Sequence, residues 1–294
     1  SDVCSSDLQD PAHPGRWKAN LILVLVASFW GTAFLAQTYA GKTGLAFHYN
    51  GASFLLAGLV LLPLVRVRNF SKDQYLWMGV AGVLLFAGSA FQQLGLYYTK
   101  VANASFLTSL YVIFTPFLLW LFFREKPTLT HSFAAFLAVL GAFLLSVGAK
   151  FEWQLGDLLE IAGALFWGMH VVIVGKVALR FESISFAVGQ FLICAFLNFS
   201  LGFFLEDFSK LFTVGVLGAT AYRGLLSIGI GYTAQIWAQR FTSPNDAALI
   251  FSLEAVFASI VAAFILKESL APPQLAGCAL ILLAASLSQL RPKS

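Results

Sequence analysis

The sequence predicts an all-α integral membrane protein with ten transmembrane helices, arranged as two inverted five-helix repeats. Three observations lead to this prediction: an apolar composition, ten apolar stretches of spanning length, and sequence patterns that occur twice. Of the 294 residues, 59% are hydrophobic and 11% are charged, and the mean hydropathy is +0.81. A soluble domain is roughly 45–50% apolar and about 25% charged. Lipid is therefore expected to surround most of this chain.

The ten apolar stretches have the length that a transmembrane helix needs, about 20 residues for a hydrocarbon core of ~30 Å. Polar segments and clusters of Gly, Pro and Asn separate them. The predicted spans are 20–40, 46–65, 78–98, 101–123, 128–148, 157–177, 184–205, 221–241, 246–267 and 271–290. Residues 1–19 are expected to form a polar tail, disordered or artefactual, outside the fold.

The repeat divides the chain into a first half, 20–148, and a second half, 156–290. The segment Ala27-Ser28-Phe29-Trp30-Gly31 recurs as Ala164-Leu165-Phe166-Trp167-Gly168, at an offset of 137. At an offset of 143 the matching pairs are Gln92 and Gln235, Thr99 and Thr242, Asn103 and Asp246, and Ser109 and Ser252. Each half holds five spans, an odd number, so the second half must enter the membrane from the opposite side. Inverted repeats are typical of carriers whose substrate site lies at the midplane, although duplication could also give only a stable bundle.

The basic residues predict the orientation. With both termini cytoplasmic, the inner segments hold twelve Lys and Arg residues and the outer segments six, as the positive-inside rule requires. We expect a bacterial-type cytoplasmic (inner) membrane. The basic residues are scattered, with no run that could follow a nucleic-acid backbone. The expected partners are the lipid bilayer and a small-molecule substrate, with the chain a monomer or homodimer and no nucleic acid bound.

Three sets of residues resemble a known family. They are Phe29-Trp30-Gly31; Ala104-Ser105-Phe106-Leu107 with Pro116 and Glu125; and Ser243-Pro244 with Ala247-Ala248-Leu249-Ile250, Glu254 and Lys267-Glu268. Their order and double occurrence resemble the EamA repeat of the drug/metabolite transporter superfamily, over about 20–147 and 156–290. The resemblance implies ten helices and the transport, often export, of amino acids, nucleoside-like metabolites or drugs.

The chain departs from that family at two positions. Many members have an Arg early in the second span, where this chain has Ser53, which argues against an anion site there. Many also have a Pro after the ninth-span Glu, where this chain has Ala255. The second departure removes an expected helix kink.

Two tryptophans are candidate walls of a substrate cavity. Membrane Trp is usually interfacial, yet Trp30 and Trp167 lie about ten residues into their spans. Phe34 and Gln37 share the helical face of Trp30, and His170 shares that of Trp167. For each Trp, simple packing is the alternative, and for His170 the alternative is a structural hydrogen bond.

Polar side chains without a basic partner complete the candidate cavity. Gln92 and Gln235 could orient a neutral or zwitterionic group or simply join helices, and Tyr111 lies on a polar stripe of the fourth span. We place no Lys or Arg at the centre of any span. This pattern favours an amphipathic neutral or zwitterionic solute.

Glu254 is the acid that we place deepest in the membrane. It lies eight residues after Asp246, or ~12 Å into a core of ~30 Å. A carboxyl that exchanges a proton as the protein opens to either side would couple proton flow to transport. The alternative is a structural acid that accepts hydrogen bonds from Gln92 or Tyr111.

The predicted function is a secondary transporter that exports small amphipathic metabolites, such as amino acids, by alternating access. The alternatives are an exporter of cationic or aromatic drugs, a channel, or a membrane-embedded enzyme. An enzyme is disfavoured because the chain lacks a His-Glu-x-x-His motif or an arranged nucleophile, and a channel because no repeated filter or charged ring is present. Cys4, Cys194 and Cys278 are far apart, so no metal, cofactor or catalytic site is predicted.

Overall fold

The computed structural model describes residues 15–66, 69–99, 101–146, 154–266 and 270–289. In these residues the chain is all-helical, with no strand. The helices are α1 (Arg16–Gly41), α2 (Phe47–Leu61), α3 (Lys72–Tyr98), α4 (Val101–Thr108 and Tyr111–Phe123), α5 (Leu129–Ser146), α6 (Leu155–Val177), α7 (Ser183–Leu205), α8 (Val214–Tyr222, Arg223–Tyr232 and Thr233–Ala238), α9 (Pro244–Phe251 and Leu253–Leu266) and α10 (Pro272–Leu287). Within the described residues, nine are long and apolar enough to cross a membrane, and α10 is shorter. The predicted all-helical membrane fold is confirmed.

The first helix starts earlier than the sequence suggested. Helix α1 begins at Arg16, so residues 16–19, which we expected in the polar tail, are helical. The reason is an ion pair: Nη2 of Arg16 lies 3.1 Å from Oδ2 of Asp246, and both side chains are about nine-tenths buried. The rest of the expected tail, residues 1–14, lies outside the described residues.

Two other helices begin six or seven residues before their predicted starts. Helix α3 begins at Lys72 rather than 78, because Ser71 and Gln74 form a reciprocal cap with N···O distances of 3.2 and 2.8 Å. Helix α8 begins at Val214 rather than 221. The predicted span left Arg223 at its outer edge, whereas this residue lies nine residues after the start of the helix.

Helices α4 and α9 are interrupted at corresponding positions. The break in α4 falls at Ser109 and the break in α9 at Ser252, its counterpart in the second repeat. In each, the serine hydroxyl donates to the carbonyl three residues earlier, Phe106 at 2.6 Å and Leu249 at 2.7 Å. Such back-bonding bends helices. Ala255 stands where a Pro was expected, and the interruption of α9 falls three residues earlier, at Ser252.

The packing of the helices follows a two-fold relation between the halves. The most extensive contacts join opposite halves. Helix α3 packs on α6 as α8 packs on α1, α4 on α6 as α9 on α1, and α3 on α7 as α2 on α8. Helices α2 and α7, and α5 and α10, pack on each other. Exchanging the two halves therefore reproduces this set of contacts.

Glycines set the closest of these crossings. A Cβ added to Gly31 of α1 would lie 2.9 Å from the Cβ of Phe257 in α9. A Cβ added to Gly168 of α6 would lie 3.2 Å from the Cβ of Phe114 in α4. The two glycines correspond at the first offset found in the sequence, and the two phenylalanines correspond at the second. Small residues allow such close approach in membranes.

Candidate functional site

A cavity lies between the two halves, where the broken helices α4 and α9 face α1, α3, α6 and α8. Its lining residues are Trp30, Phe34, Gln37, Gln92, Thr108, Tyr111, Trp167, His170, Val171, Arg223, Ser227, Ile228, Tyr232, Gln235, Phe251 and Glu254. All nine side chains singled out from the sequence lie on its wall. The structure thus brings the predicted site residues together in one place.

Most of the wall consists of residues that correspond between the repeats. The pairs are Trp30 and Trp167, Phe34 and Val171, Gln92 and Gln235, Thr108 and Phe251, and Tyr111 and Glu254. The first two pairs correspond at the offset of the Trp-Gly segments, and the other three at the offset of the glutamines. The repeat therefore builds the wall, and pairs such as Tyr111 and Glu254 make its two sides chemically different.

Tyr232 is the centre of the aromatic wall. Its ring centroid lies 4.9 Å from Trp30 and 6.1 Å from Trp167, and Phe251 lies 4.7 Å from Trp30 on another side. The indole nitrogen of Trp30 donates to the carbonyl of Ser227 at 3.0 Å. The indole nitrogen of Trp167 has no hydrogen-bond partner among the described residues. The cavity thus offers flat apolar surface and one unused donor.

The amides of the wall are anchored at one end. Nε2 of Gln92 donates to Thr108 Oγ1 at 3.4 Å, and Nε2 of Gln235 donates to Gln239 Oε1 at 2.9 Å. The side-chain oxygens of Gln235 and Gln37 have no partner among the described residues. Buried polar atoms are usually hydrogen-bonded. These two carbonyls are therefore available to a donor in the cavity.

His170 is held by a neighbouring helix. Its Nε2 lies 3.1 Å from Oε1 of Gln190 in α7. Its ring stands almost perpendicular to those of Trp167 and Tyr232, at interplanar angles of 88°. This geometry suits a hydrogen-bonded histidine that supports the two aromatic rings.

Glu254 and Tyr111 are neighbours on the cavity wall. Glu254 lies in the first turn of Leu253–Leu266, directly after the break in α9. The N-terminal end of a helix favours negative charge. Tyr111 is its electrostatic neighbour, yet neither Glu254 Oε1 nor the Tyr111 hydroxyl makes a hydrogen bond of standard geometry to a described residue. Gln92, the other donor proposed from the sequence, is bonded to Thr108 instead.

Arg223 overturns the expectation that no span contains a central cation. It lies in α8, is 4% exposed and lines the cavity. Its guanidinium carbon is 5.1 Å from the ring centroid of Tyr49 and 5.8 Å from that of Phe54, both in α2. Ser53 lies between these residues in sequence. Position 53 has no basic side chain, but Arg223 of α8 places a cation next to the neighbouring residues of α2.

Arg223 was missed because its span was predicted to begin at 221, which left this residue at the outer edge. Its place on the wall also depends on the π-helical winding of Arg223–Tyr232. At 3.6 residues per turn, the nine-residue separation of Arg223 and Tyr232 would place their side chains about half a turn apart. A π-helix, with i→i+5 hydrogen bonds and about 4.4 residues per turn, brings them to one face. No α-helical periodicity in the sequence could group these residues.

A second acid, Glu160, is also buried next to the cavity. Its side chain is fully buried, and it accepts a hydrogen bond from Thr108 at 2.9 Å. Gly95 makes room for it, since an added Cβ would lie 2.6 Å from Glu160 Oε1. Glu254 is therefore not the only enclosed acid. Glu160 was missed because it lies one turn from the predicted edge of its span.

The cavity is narrow in this structure. Its volume is about 50 Å³, room for a few water molecules at ~10–15 Å³ each. A metabolite would need the halves to move apart. The interruptions of α4 and α9 border the cavity and are where such a movement could be accommodated.

No metal-binding cluster of three or more His, Cys, Asp or Glu side chains occurs in the part of the chain that the structure describes. Cys194 and Cys278 are free thiols, the former buried in α7. The chemistry that the cavity offers is therefore aromatic surface, amides, a guanidinium and carboxyl groups.

Glu182 lies outside the cavity, on a groove formed by α1, α7 and α8. It caps α7 by accepting from the backbone nitrogens of Ile184 and Ser185 at 3.0 and 2.7 Å. Partial burial raises the pKa of this carboxyl, but hydrogen bonds from Ser185 and Ile184 and the nearby Arg66 outweigh burial and hold the pKa below its usual value. Glu182 therefore serves as a charged helix cap.

Comparison with known proteins agrees with this architecture. A protein from Archaeoglobus fulgidus described as an uncharacterized transporter is 31% identical over 94% of this chain and 87% of its own length. The uncharacterized transporter YwfM of Bacillus subtilis is 26% identical over 90% of this chain and 91% of its own. A protein of known crystal structure has the same fold, with a TM-score of 0.78, 19% identity and coverage of 92% and 96%.

The family match covers nearly the whole chain in two segments. Residues 17–147 and 154–289 each match the EamA-like transporter family. The chain therefore belongs to the EamA-like transporter family, within the drug/metabolite transporter superfamily.

Proposed function

We propose that this transporter exports small amphipathic metabolites, such as amino acids, by alternating access across the cytoplasmic membrane. The observation that carries the proposal is a single cavity between the repeats that combines aromatic walls with one buried basic and one buried acidic side chain. Arg223 and Glu254 lie on different helices and do not form an ion pair with each other. Export is proposed because it is frequent in this family.

A zwitterion complements this arrangement. Its carboxylate matches a guanidinium, and its ammonium group matches a carboxylate and amide carbonyls. The aromatic rings around Tyr232 would contact an apolar side chain. The buried cation disfavours cationic drugs, so the second candidate is a neutral aromatic drug, which the wall formed by Trp30, Tyr232 and Trp167 favours.

Alternating access is supported by the two-fold packing of the helices. Inverted repeats give two packings of similar energy, one open to each side. The cavity volume of about 50 Å³ suits a narrow state between them. We infer that separation of the halves on one side widens the cavity there while closing it on the other.

Counterflow in proteoliposomes tests transport. We expect vesicles preloaded with unlabelled L-leucine or L-phenylalanine to accumulate the labelled amino acid transiently and with saturation, since one cavity serves both sides in turn. The measurement is labelled solute retained with time, with empty liposomes as the control. Linear, non-saturating uptake without counterflow would indicate a channel instead.

We also propose that both termini face the cytoplasm of a bacterial-type inner membrane. Lys126 follows α4 on the proposed inner side, and Lys210 precedes α8 on the outer side. Lys267, the counterpart of Arg124 at the offset of 143, lies outside the described residues.

Single cysteines test this orientation. In a cysteine-free background, Lys126→Cys and Lys210→Cys should react with an impermeant maleimide from opposite faces, the cytoplasmic face for position 126. Reaction of both positions from one face of right-side-out vesicles would contradict the proposed orientation.

Glu254 is proposed as the proton-coupling acid. Glu254→Gln preserves size and hydrogen bonding but cannot titrate, so we expect a folded transporter whose rate no longer changes with pH. The measurement is initial rate of counterflow across a pH series. The matched control is Glu125→Gln, because Glu125 pairs with Lys176 at the surface and is half-exposed; this variant should keep the wild-type profile.

An unchanged pH profile in Glu254→Gln, with wild-type rates, would leave Glu254 a structural role only. Its position beside the helix break would then be explained by its interaction with Tyr111.

A further inference from the structure

Arg223 is a cation enclosed near the membrane midplane. It lies nine residues after Val214, the first residue of α8, or ~13 Å along the helix at ~1.5 Å per residue. The hydrocarbon core is ~30 Å thick. The side chain nevertheless lines the cavity with only 4% of the residue exposed.

The contacts of Arg223 leave its charge unbalanced. Its Nη1 donates to Oδ1 of Asn50, which uses one of five guanidinium N–H groups. Its guanidinium carbon lies 5.1 Å from the ring centroid of Tyr49 and 5.8 Å from that of Phe54. Among the described residues, no carboxylate oxygen lies within 4.0 Å of it. Charged groups inside membranes are costly unless paired and commonly mark substrate pathways.

The surroundings define which anion fits. Arg223 is the single Lys or Arg on the described cavity wall, so a phosphate dianion or a dicarboxylate would keep an unbalanced charge. A carboxylate matches the planar fork of one guanidinium. The neighbouring wall is aromatic, which suits an apolar substituent on the same solute.

We infer that Arg223 binds the carboxylate of the transported solute and holds it on the α2–α8 side of the cavity. The solute class is then a monocarboxylate with an apolar body, as in apolar α-amino acids, whose side chain contacts Trp30 and Tyr232. The inference rests on the proposed function only in taking this cavity as the solute site.

Asn50 is the positioning residue for this group. Its Nδ2 donates to the carbonyl of Ser89 at 3.0 Å, which fixes its Oδ1 toward Arg223. The amide thus orients the guanidinium without neutralising it, and the charge remains available to a ligand.

Binding to the purified full chain tests the inference separately from transport. The probes are L-leucine and L-phenylalanine, each with its carboxamide, titrated by calorimetry in lipid nanodiscs. We expect the wild type to bind at least one of these acids at least tenfold more tightly than its amide. Arg223→Gln should reduce that ratio to about one, and Arg223→Lys, which keeps the charge but loses the planar fork, should lie between them.

Arg180→Gln is the matched control. Arg180 pairs with Asp73 at 2.9 Å and is half-exposed outside the cavity, so this variant should keep the wild-type ratio. Because Arg223→Gln removes a buried contact, size-exclusion profiles and melting temperatures show whether it folds. If Arg223→Gln does not fold, the ratio of acid to amide affinity in the wild type and in Arg223→Lys still tests the inference.

The outcomes separate the two proposals. Equal binding of acid and amide by the wild type, or an unchanged ratio in folded Arg223→Gln, would overturn the role of Arg223 while leaving transport intact. Carboxylate-selective binding without counterflow would support the site and contradict the transport function. Binding of none of the four probes would overturn the inference.

Discussion

The architecture depends on the close approach of helix backbones at glycines. Lipid is as apolar as a leucine side chain, so helices gain little by burying apolar surface against each other, and van der Waals packing has to hold them together. At Gly31 the helices lie too close for a Cβ, and at Gly168 a Cβ would make a tight contact with the neighbouring helix. These crossings place the preceding residues, Trp30 and Trp167, on the cavity wall.

The same constraint explains the symmetry of the site. A crossing of α1 with α9 is matched by a crossing of α6 with α4, so most wall residues in one half have a counterpart on the wall in the other. Function requires that some counterparts differ. Tyr111 opposite Glu254, and Arg223 on α8, give the cavity a polarity that two equal repeats would lack.

The breaks in α4 and α9 are positions where helix segments could move relative to the rest of the protein. Ser109 and Ser252 bond back to carbonyls at equivalent positions, and each directly follows a cavity residue, Thr108 or Phe251. Glu254 lies in the first turn after one break, where the helix dipole favours negative charge. A shift of either helix segment would therefore change the surroundings of the groups that we propose to contact solute and proton.

Much of the fold and of the cavity wall could be predicted from the sequence, because apolar composition reveals the spans and matched spacing reveals the repeats. Trp30 and Trp167 were found by their unusual depth, and Gln92 and Gln235 by their matched offsets. Arg223 was missed because its span was predicted to begin at 221 rather than 214. Its position beside Tyr232 could not be predicted, because a π-helix changes the residues that share a face. The interruption of α9 was missed because Ser252, not Pro, lies at the break.

The central claim is that one cavity is reached in turn from both sides of the membrane. Ser227 is the most direct reporter, because it lines the cavity between Arg223 and Tyr232 on α8 and is 5% exposed. In a cysteine-free background, Ser227→Cys should react with an impermeant maleimide applied to either face, and an excess of L-leucine or L-phenylalanine should slow both reactions. Labelling from only one face under all conditions, or labelling that neither amino acid slows, would contradict the account.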